Sequence, residues 1–119
     1  MKKIYHLANC GTCQNIIKEL SPLTKGTELQ DIKTSSITEE QLNEMHALAG
    51  TYEALFSRRA LKYRELGLNE KTLSEKEYKK YILKEYTFLK RPVLLFNDQI
   101  FIGNAPKTVA AAKAFLQKK

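Results

Sequence analysis

The stretch that most constrains the fold is Val93-Leu94-Leu95-Phe96, followed by Asn97-Asp98 and then Gln99-Ile100-Phe101-Ile102. The first run is continuously apolar and reads as a buried strand. Asn-Asp is a two-residue turn, so the second run returns antiparallel as a hairpin. Gly103-Asn104 then turns the chain, with Asn104 as a candidate helix cap. Pro106 suits a first helical turn, where a missing N–H costs nothing. The helix that follows runs to about Gln117 and turns Val109, Ala112 and Leu116 inward. The last third of the chain is therefore strand, strand, helix.

The first third has a complementary order. Lys3-Ile4-Tyr5-His6-Leu7 reads as a short strand and Asn9-Cys10-Gly11 as a turn. A helix starts at Thr12 or Cys13 and carries Ile16, Ile17 and Leu20 at helical spacing. Ser21-Pro22 ends it, Lys25-Gly26-Thr27 is a loop, and Glu28 to Ile32 is a modest second strand. Strand, helix, strand over this length is a βαβ unit, which predicts parallel strands and a right-handed crossover.

Between the two lies a helical block. Thr38-Glu39-Glu40-Gln41 and Ser74-Glu75-Lys76-Glu77 are both capping boxes, in which the first hydroxyl and the fourth side chain satisfy each other's backbone N–H. Ile37 with Leu42, and Leu73 with Tyr78, are matching hydrophobic staples. The first helix passes through Leu42, Met45, His46 and Ala49 and stops at Gly50; Thr51 caps a short helix from Tyr52 to Phe56. Tyr63, Leu66 and Leu68 form a small apolar cluster around Gly67, and Tyr78 and Ile82 share a face of the second capped helix.

Taken together, the order predicts an α/β fold with a thioredoxin- or glutaredoxin-like mixed sheet, βαβ then ββα, and an inserted helical block. The core spans about 1–34 and 88–119 and the insertion about 36–87, within a single domain of 119 residues. A chain of this length buries a proper core. No apolar run approaches a membrane span, and Met1 to Leu7 is too short and polar for a secretory signal, so a cytoplasmic location is expected. The net charge is +7, from 20 basic and 13 acidic residues, and reads as a solvated basic surface, ahead of a preference for anionic partners, with Lys2, Lys3, Lys118 and Lys119 at the termini supplying much of the excess. The basic residues form no strip interleaved with aromatics, so direct nucleic-acid binding is not expected.

Both cysteines of the chain lie in Cys10-Gly11-Thr12-Cys13, at the junction of strand and helix. A helix N-terminus offers unpaired amides and a partial positive charge, which favour thiolate over thiol at Cys10 and would also cradle an oxyanion through Gly11 and Thr12. Cys13 falls in the first turn, where it either resolves a mixed disulfide or simply packs. Zinc would need two further ligands, and His6 and His46 lack paired spacing, so no metal site is expected. His6, four residues before Cys10, either sets the charge near the thiol or is a plain strand residue. Arg91 precedes Pro92, a candidate cis-proline, in a loop that faces the cysteine turn in a thioredoxin-like fold. Its planar fork suits an oxyanion, and Arg58 and Arg59 are candidates to add to it.

These residues resemble the ArsC-like family, which groups arsenate reductases with the Spx regulators and YffB-like proteins. His6 through Asn15 looks like the family's nucleophile loop, Phe56-Ser57-Arg58-Arg59 with Tyr63-Arg64-Glu65-Leu66-Gly67 its arginine segment, and Lys90-Arg91-Pro92-Val93 its Arg-Pro signature. The resemblance implies Cys10 as nucleophile, Arg91 and Arg59 as oxyanion ligands, and His6 as a lesser contributor. It implies a thiol-dependent, arsenate reductase-like or glutaredoxin-like oxidoreductase acting on a small oxyanion or a disulfide. No cofactor is expected to be bound, and glutathione, with glutaredoxin or a thioredoxin system, is the expected reductant. Two departures bear on the branch. No arginine follows Arg91, where arsenate reductases of this type carry a third, and Cys13 and Gln14 stand where their loop has Ser and Arg. A Cys-x-x-Cys is the pattern of Spx, so the alternative is a non-enzymatic, redox-responsive regulator that binds RNA polymerase.

Overall fold

The computed structural model describes residues 2–118; Met1 and Lys119 lie outside the described residues. In chain order the elements are β1 (Lys2–His6), α1 (Gly11–Leu20), β2 (Glu28–Asp31), α2 (Glu39–Ala49), α3 (Leu61–Glu65), α4 (Glu75–Lys84), β3 (Val93–Phe96), β4 (Gln99–Ile102) and α5 (Pro106–Gln117). Short 3-10 turns cover Glu53–Leu55, Leu68–Glu70 and Tyr86–Phe88. The chain divides into two compact units, one of residues 1–35 and 91–119, the other of residues 36–90.

The first unit is a four-stranded mixed sheet in the order β2-β1-β3-β4. β1 and β2 are parallel, while β1 with β3 and β3 with β4 are antiparallel. This is the expected βαβ followed by ββα, and the thioredoxin-like architecture. Ile4 pairs with Leu94 in register. Both join a buried cluster with Ile16 and Leu20 of α1 and Val109, Ala112 and Leu116 of α5. The helical spacing of those apolar positions is what turns one stripe of each helix onto the sheet. Asn97, at φ 61, makes the left-handed turn of the hairpin, and its short polar side chain tolerates that conformation.

The second unit is the helical block. Both capping boxes are formed, Thr38 with Gln41 on α2 and Ser74 with Glu77 on α4. Thr51 Oγ1 accepts from the Ala54 amide at 3.1 Å and starts the Glu53–Leu55 turn. Phe56 is the centre of this unit. Its ring stacks on Phe88 at 5.0 Å and meets Tyr78 at 4.9 Å and Tyr63 at 5.9 Å. Its backbone bridges Leu89, flanked by Ser57 N–H to Phe88 O at 2.7 Å and Lys90 N–H to Leu55 O at 2.8 Å.

Three local expectations need correction. Asn104 is not the cap of α5. Ala105 holds that position without a side-chain bond, and Pro106 at the first helical position carries the start. Leu66 is half exposed rather than clustered with the buried Leu68, because residues 61–65 form a helical turn and Gly67 then reverses the chain in the left-handed region. Lys3 is not a solvated terminal charge: it is buried, paired with Glu28 at 3.3 Å and held 5.1 Å from the Tyr5 ring centroid. No helix among the described residues is long and apolar enough to cross a membrane.

Leu20 is fully buried between α1 and the sheet. Truncation by Leu20→Ala should cost about 2–5 kcal/mol, the usual range for emptying a packed site. Thr38→Ala, which deletes one capping box, should cost only about 1 kcal/mol. Urea unfolding read by circular dichroism gives both values, and a Leu20→Ala cost no larger than that of Thr38→Ala would contradict this account of the core.

Candidate functional site

The site is built where β1 gives way to α1. The Cys10 N–H donates to Leu7 O at 3.1 Å, closing a turn through Ala8 and Asn9. Cys10 then takes extended dihedrals as the N-cap of α1, and its own carbonyl accepts from Gln14 N–H at 3.1 Å. No side chain caps this helix. The first amides are thus left without helical partners and face the cysteine turn. Cys10 is partly exposed, and Cys13 is fully buried one turn along. Gly11 and Thr12 are exposed, and a Cβ built at Gly11 would meet nothing within 4 Å, so the space before the helix end is open.

The two thiols divide a proton unequally. Burial alone would push the Cys10 thiol up. The Cys13 amide, the Cys13 thiol, the Arg91 guanidinium and the Thr12 amide together outweigh it and hold Cys10 below the ordinary 9.0. Cys13 is pushed up to about 11, first by burial and then by the hydrogen bond and charge of Cys10, against the opposing pull of the Leu7 amide and Arg91. Of the two, Cys10 therefore loses its proton first, and the Cys13 thiol is the one placed to donate to it.

Arg91 reaches this place through strand pairing. β3 runs antiparallel to β1 with Val93 opposite Tyr5, so β3 begins at the end where β1 finishes. Arg91, half-buried, lies two residues before Val93, and its peptide bond to Pro92 is cis. Pro92 O accepts from Gly103 N–H at 2.9 Å, which brings the turn after β4 to the same end. Gly103 and Asn104 occupy that turn and carry no charge.

His6 is buried at the end of β1. Its Nδ1 is 3.2 Å from Gln14 Nε2, and the same amide nitrogen donates to Leu7 O at 3.0 Å. Gln14 is the residue that sequence reasoning passed over as a mere departure from the arsenate reductase loop. Its partners lie seven and eight residues back across the turn, at no helical spacing, so the sequence carried no signal for them.

The arginine segment belongs to the second unit. Arg58 is engaged there: it bonds Glu53 at 2.7 Å and Tyr78 Oη at 2.9 Å, and sits 5.8 Å from the Tyr78 ring centroid. That network holds the Arg58 side chain against Glu53 and Tyr78 within this unit. The Arg59 side chain is exposed and has no hydrogen-bond or ion-pair partner among the described residues. His46 stacks on Tyr52 at 4.1 Å between ring centroids. No group of three His, Cys, Asp or Glu side chains that could hold a metal ion occurs among the described residues.

Residues 5–112 match the sequence profile of the ArsC family. Among solved structures, a YffB protein is similar at 24% identity and a TM-score of 0.79, covering 94% of this chain and 98% of that one. SACOL0876 of Staphylococcus aureus is 30% identical, with a TM-score of 0.75 and coverage of 93% and 97%. An arsenate reductase from Vibrio cholerae is 20% identical, with a TM-score of 0.78 and coverage of 92% and 95%. Among curated proteins none is significantly similar.

Alkylation of the reduced protein should report the unequal thiols directly. The rate follows the thiolate fraction, so it rises with pH through the thiol's own pKa. Cys10 should show a midpoint below 9.0, and Cys13 should stay unmodified until about 11. Cys13→Ala and Arg91→Gln should each move the Cys10 midpoint upward, because each removes a group that favours the thiolate. A Cys10 midpoint unmoved by both would refute this electrostatic account.

Proposed function

The chain belongs to the ArsC family, and we propose on that basis that it is a thiol-dependent reductase with Cys10 as its nucleophile. The observation that carries the reading is the lowered Cys10 thiol, set before an open helix end within the field of Arg91. Such a site suits a substrate that is both anionic and electrophilic. An oxyanion such as arsenate meets the description, and so does a disulfide with a carboxylate nearby, as in oxidised glutathione.

With arsenate the steps balance as follows. The Cys10 sulfur bonds to arsenic(V), and a protonated oxygen leaves as water. A second thiolate then attacks the Cys10 sulfur. The sulfur–arsenic bond breaks with its electron pair left on arsenic, which departs as arsenic(III), and the two sulfurs join as a disulfide. Cys13 or an external thiol such as glutathione supplies the second sulfur, and further thiol equivalents from a glutaredoxin or thioredoxin system restore Cys10. Arg91 and the Gly11 and Thr12 amides would hold the oxyanion during the first step. Arg59 enters this reading through its sequence match alone. The chemistry requires a reducing compartment, which for this reading is the cytoplasm.

A second reading stays in view because the Cys10 and Cys13 thiols are hydrogen-bonded to one another. Two sulfurs so placed suit a reversible disulfide, and a redox-responsive regulator would use that disulfide to change a protein surface. Capture of RNA polymerase in one redox state and not the other would favour it.

The test of the first reading is arsenate-dependent oxidation of glutathione, with and without glutaredoxin, and of a thioredoxin system. Cys10→Ser should abolish it. Arg91→Ala should lower kcat/KM about tenfold to a hundredfold, the size of one charged hydrogen bond. Turnover that survives Cys10→Ser, or none with arsenate or a disulfide under any donor, would sink the reductase reading.

A further inference from the structure

Gln14 makes two side-chain bonds that tie the cysteine turn to the helix. Its Nε2 is 3.0 Å from Leu7 O and 3.2 Å from His6 Nδ1. A carbonyl oxygen only accepts, so the nitrogen end of the Gln14 amide must face Leu7. The same nitrogen has no lone pair to offer, so it must also be the donor to His6. The His6 Nδ1 therefore carries the lone pair, and the ring proton sits on Nε2. Leu7 O, in turn, accepts from two donors, Gln14 Nε2 and the Cys10 N–H. One amide side chain thus fixes an imidazole tautomer and shares the carbonyl that closes the turn at Cys10.

We propose that Gln14 is a positioning residue of the Cys10 site, locking His6 in its Nε2–H tautomer and holding the Leu7–Cys10 turn against α1. It rests on the reading of Cys10 as nucleophile and adds a residue to it. Gln14 sits four residues beyond Cys10, so its side chain lies back over the first helical turn, the direction in which helical side chains lean. Without that bond the Leu7 carbonyl keeps the Cys10 N–H, and the strand end is left with the Leu7 amide on the Cys13 thiol as its side-chain link to the helix. The turn is then freer, and the Cys10 sulfur spends less time against the Thr12 and Cys13 amides.

Long-range proton–nitrogen correlation spectra of His6 in the whole protein read the tautomer without any turnover. At neutral pH the wild type should show an unprotonated Nδ1 and a protonated Nε2. Gln14→Met keeps the length and helix preference but can donate to neither partner, and should give a tautomer mixture. Gln14→Glu presents oxygens to Nδ1 and should draw a proton onto it. At pH 7 the alkylation rate of Cys10 should fall about fivefold in Gln14→Met, the worth of one net hydrogen bond. A wild-type Nδ1 that is already protonated overturns the proposal. So does a Gln14→Met protein whose His6 spectrum and Cys10 rate are both unchanged. Failure of the reductase reading would look different: His6 and Gln14 would behave as stated while Cys10→Ser left turnover intact.

Discussion

The antiparallel pairing of β1 with β3 is the constraint on which the site depends. β1 ends at His6 and delivers the cysteine turn. β3 starts at Val93 and trails Arg91 from its first residue. With Val93 opposite Tyr5, the end of one strand and the beginning of the other coincide. Parallel pairing would have put Arg91 at the far end of the sheet. A slip of one residue would turn Ile4 and Leu94 off the face that α1 and α5 cover, so burial of the apolar cluster enforces the register. The position of the Arg91 charge is in this sense a by-product of core packing.

The second constraint acts over a few ångströms. Two thiols one turn apart at a helix start would be equivalent if they were equally solvated. They are not, because helical geometry puts Cys13 on the buried stripe with Ile16 and Leu20 while Cys10 remains at the rim. Burial of Cys13 disfavours its ionised form, so the proton stays there and can be donated to Cys10. The activated thiol is a consequence of which side of the helix each sulfur occupies.

Much of this was legible in the sequence. The β-α-β and β-β-α orders, both capping boxes, the hairpin and the positions of Cys10 and Arg91 follow from local patterns and the turn chemistry between them. What escaped was of two kinds. The helical turn at Leu61–Glu65 is too short to show a period, and its Leu61 and Leu66 are exposed, so apolar residues misled there. The Gln14 contacts join residues seven and eight apart across a turn. They depend on how that turn folds back, and no propensity or spacing rule registers a bond of that sort. Arg58 illustrates the converse: the sequence offers two adjacent arginines, and only the geometry of Glu53 and Tyr78 separates them.

Charge distribution bears on what Cys10 can meet. The acidic residues of the first unit are Glu19, Glu28, Asp31 and Asp98, while the second unit holds the other nine. Glu28 is neutralised by Lys3, and Asp31 accepts from the Lys33 amide at 3.2 Å. The unit that carries the thiol therefore contains most of the net positive charge. At physiological ionic strength such a field fades over about 8 Å, so it raises the encounter rate of anions without choosing among them. Selection has to come from directional groups at contact range, and on this unit those are Arg91 and the amides of the helix end. With Gly103 and Asn104 uncharged in the turn beside Pro92, Arg91 is the one guanidinium of this unit. A trigonal or tetrahedral oxyanion would leave more oxygens unpaired here than it would at a site with several guanidinium forks, whereas a carboxylate needs only one fork.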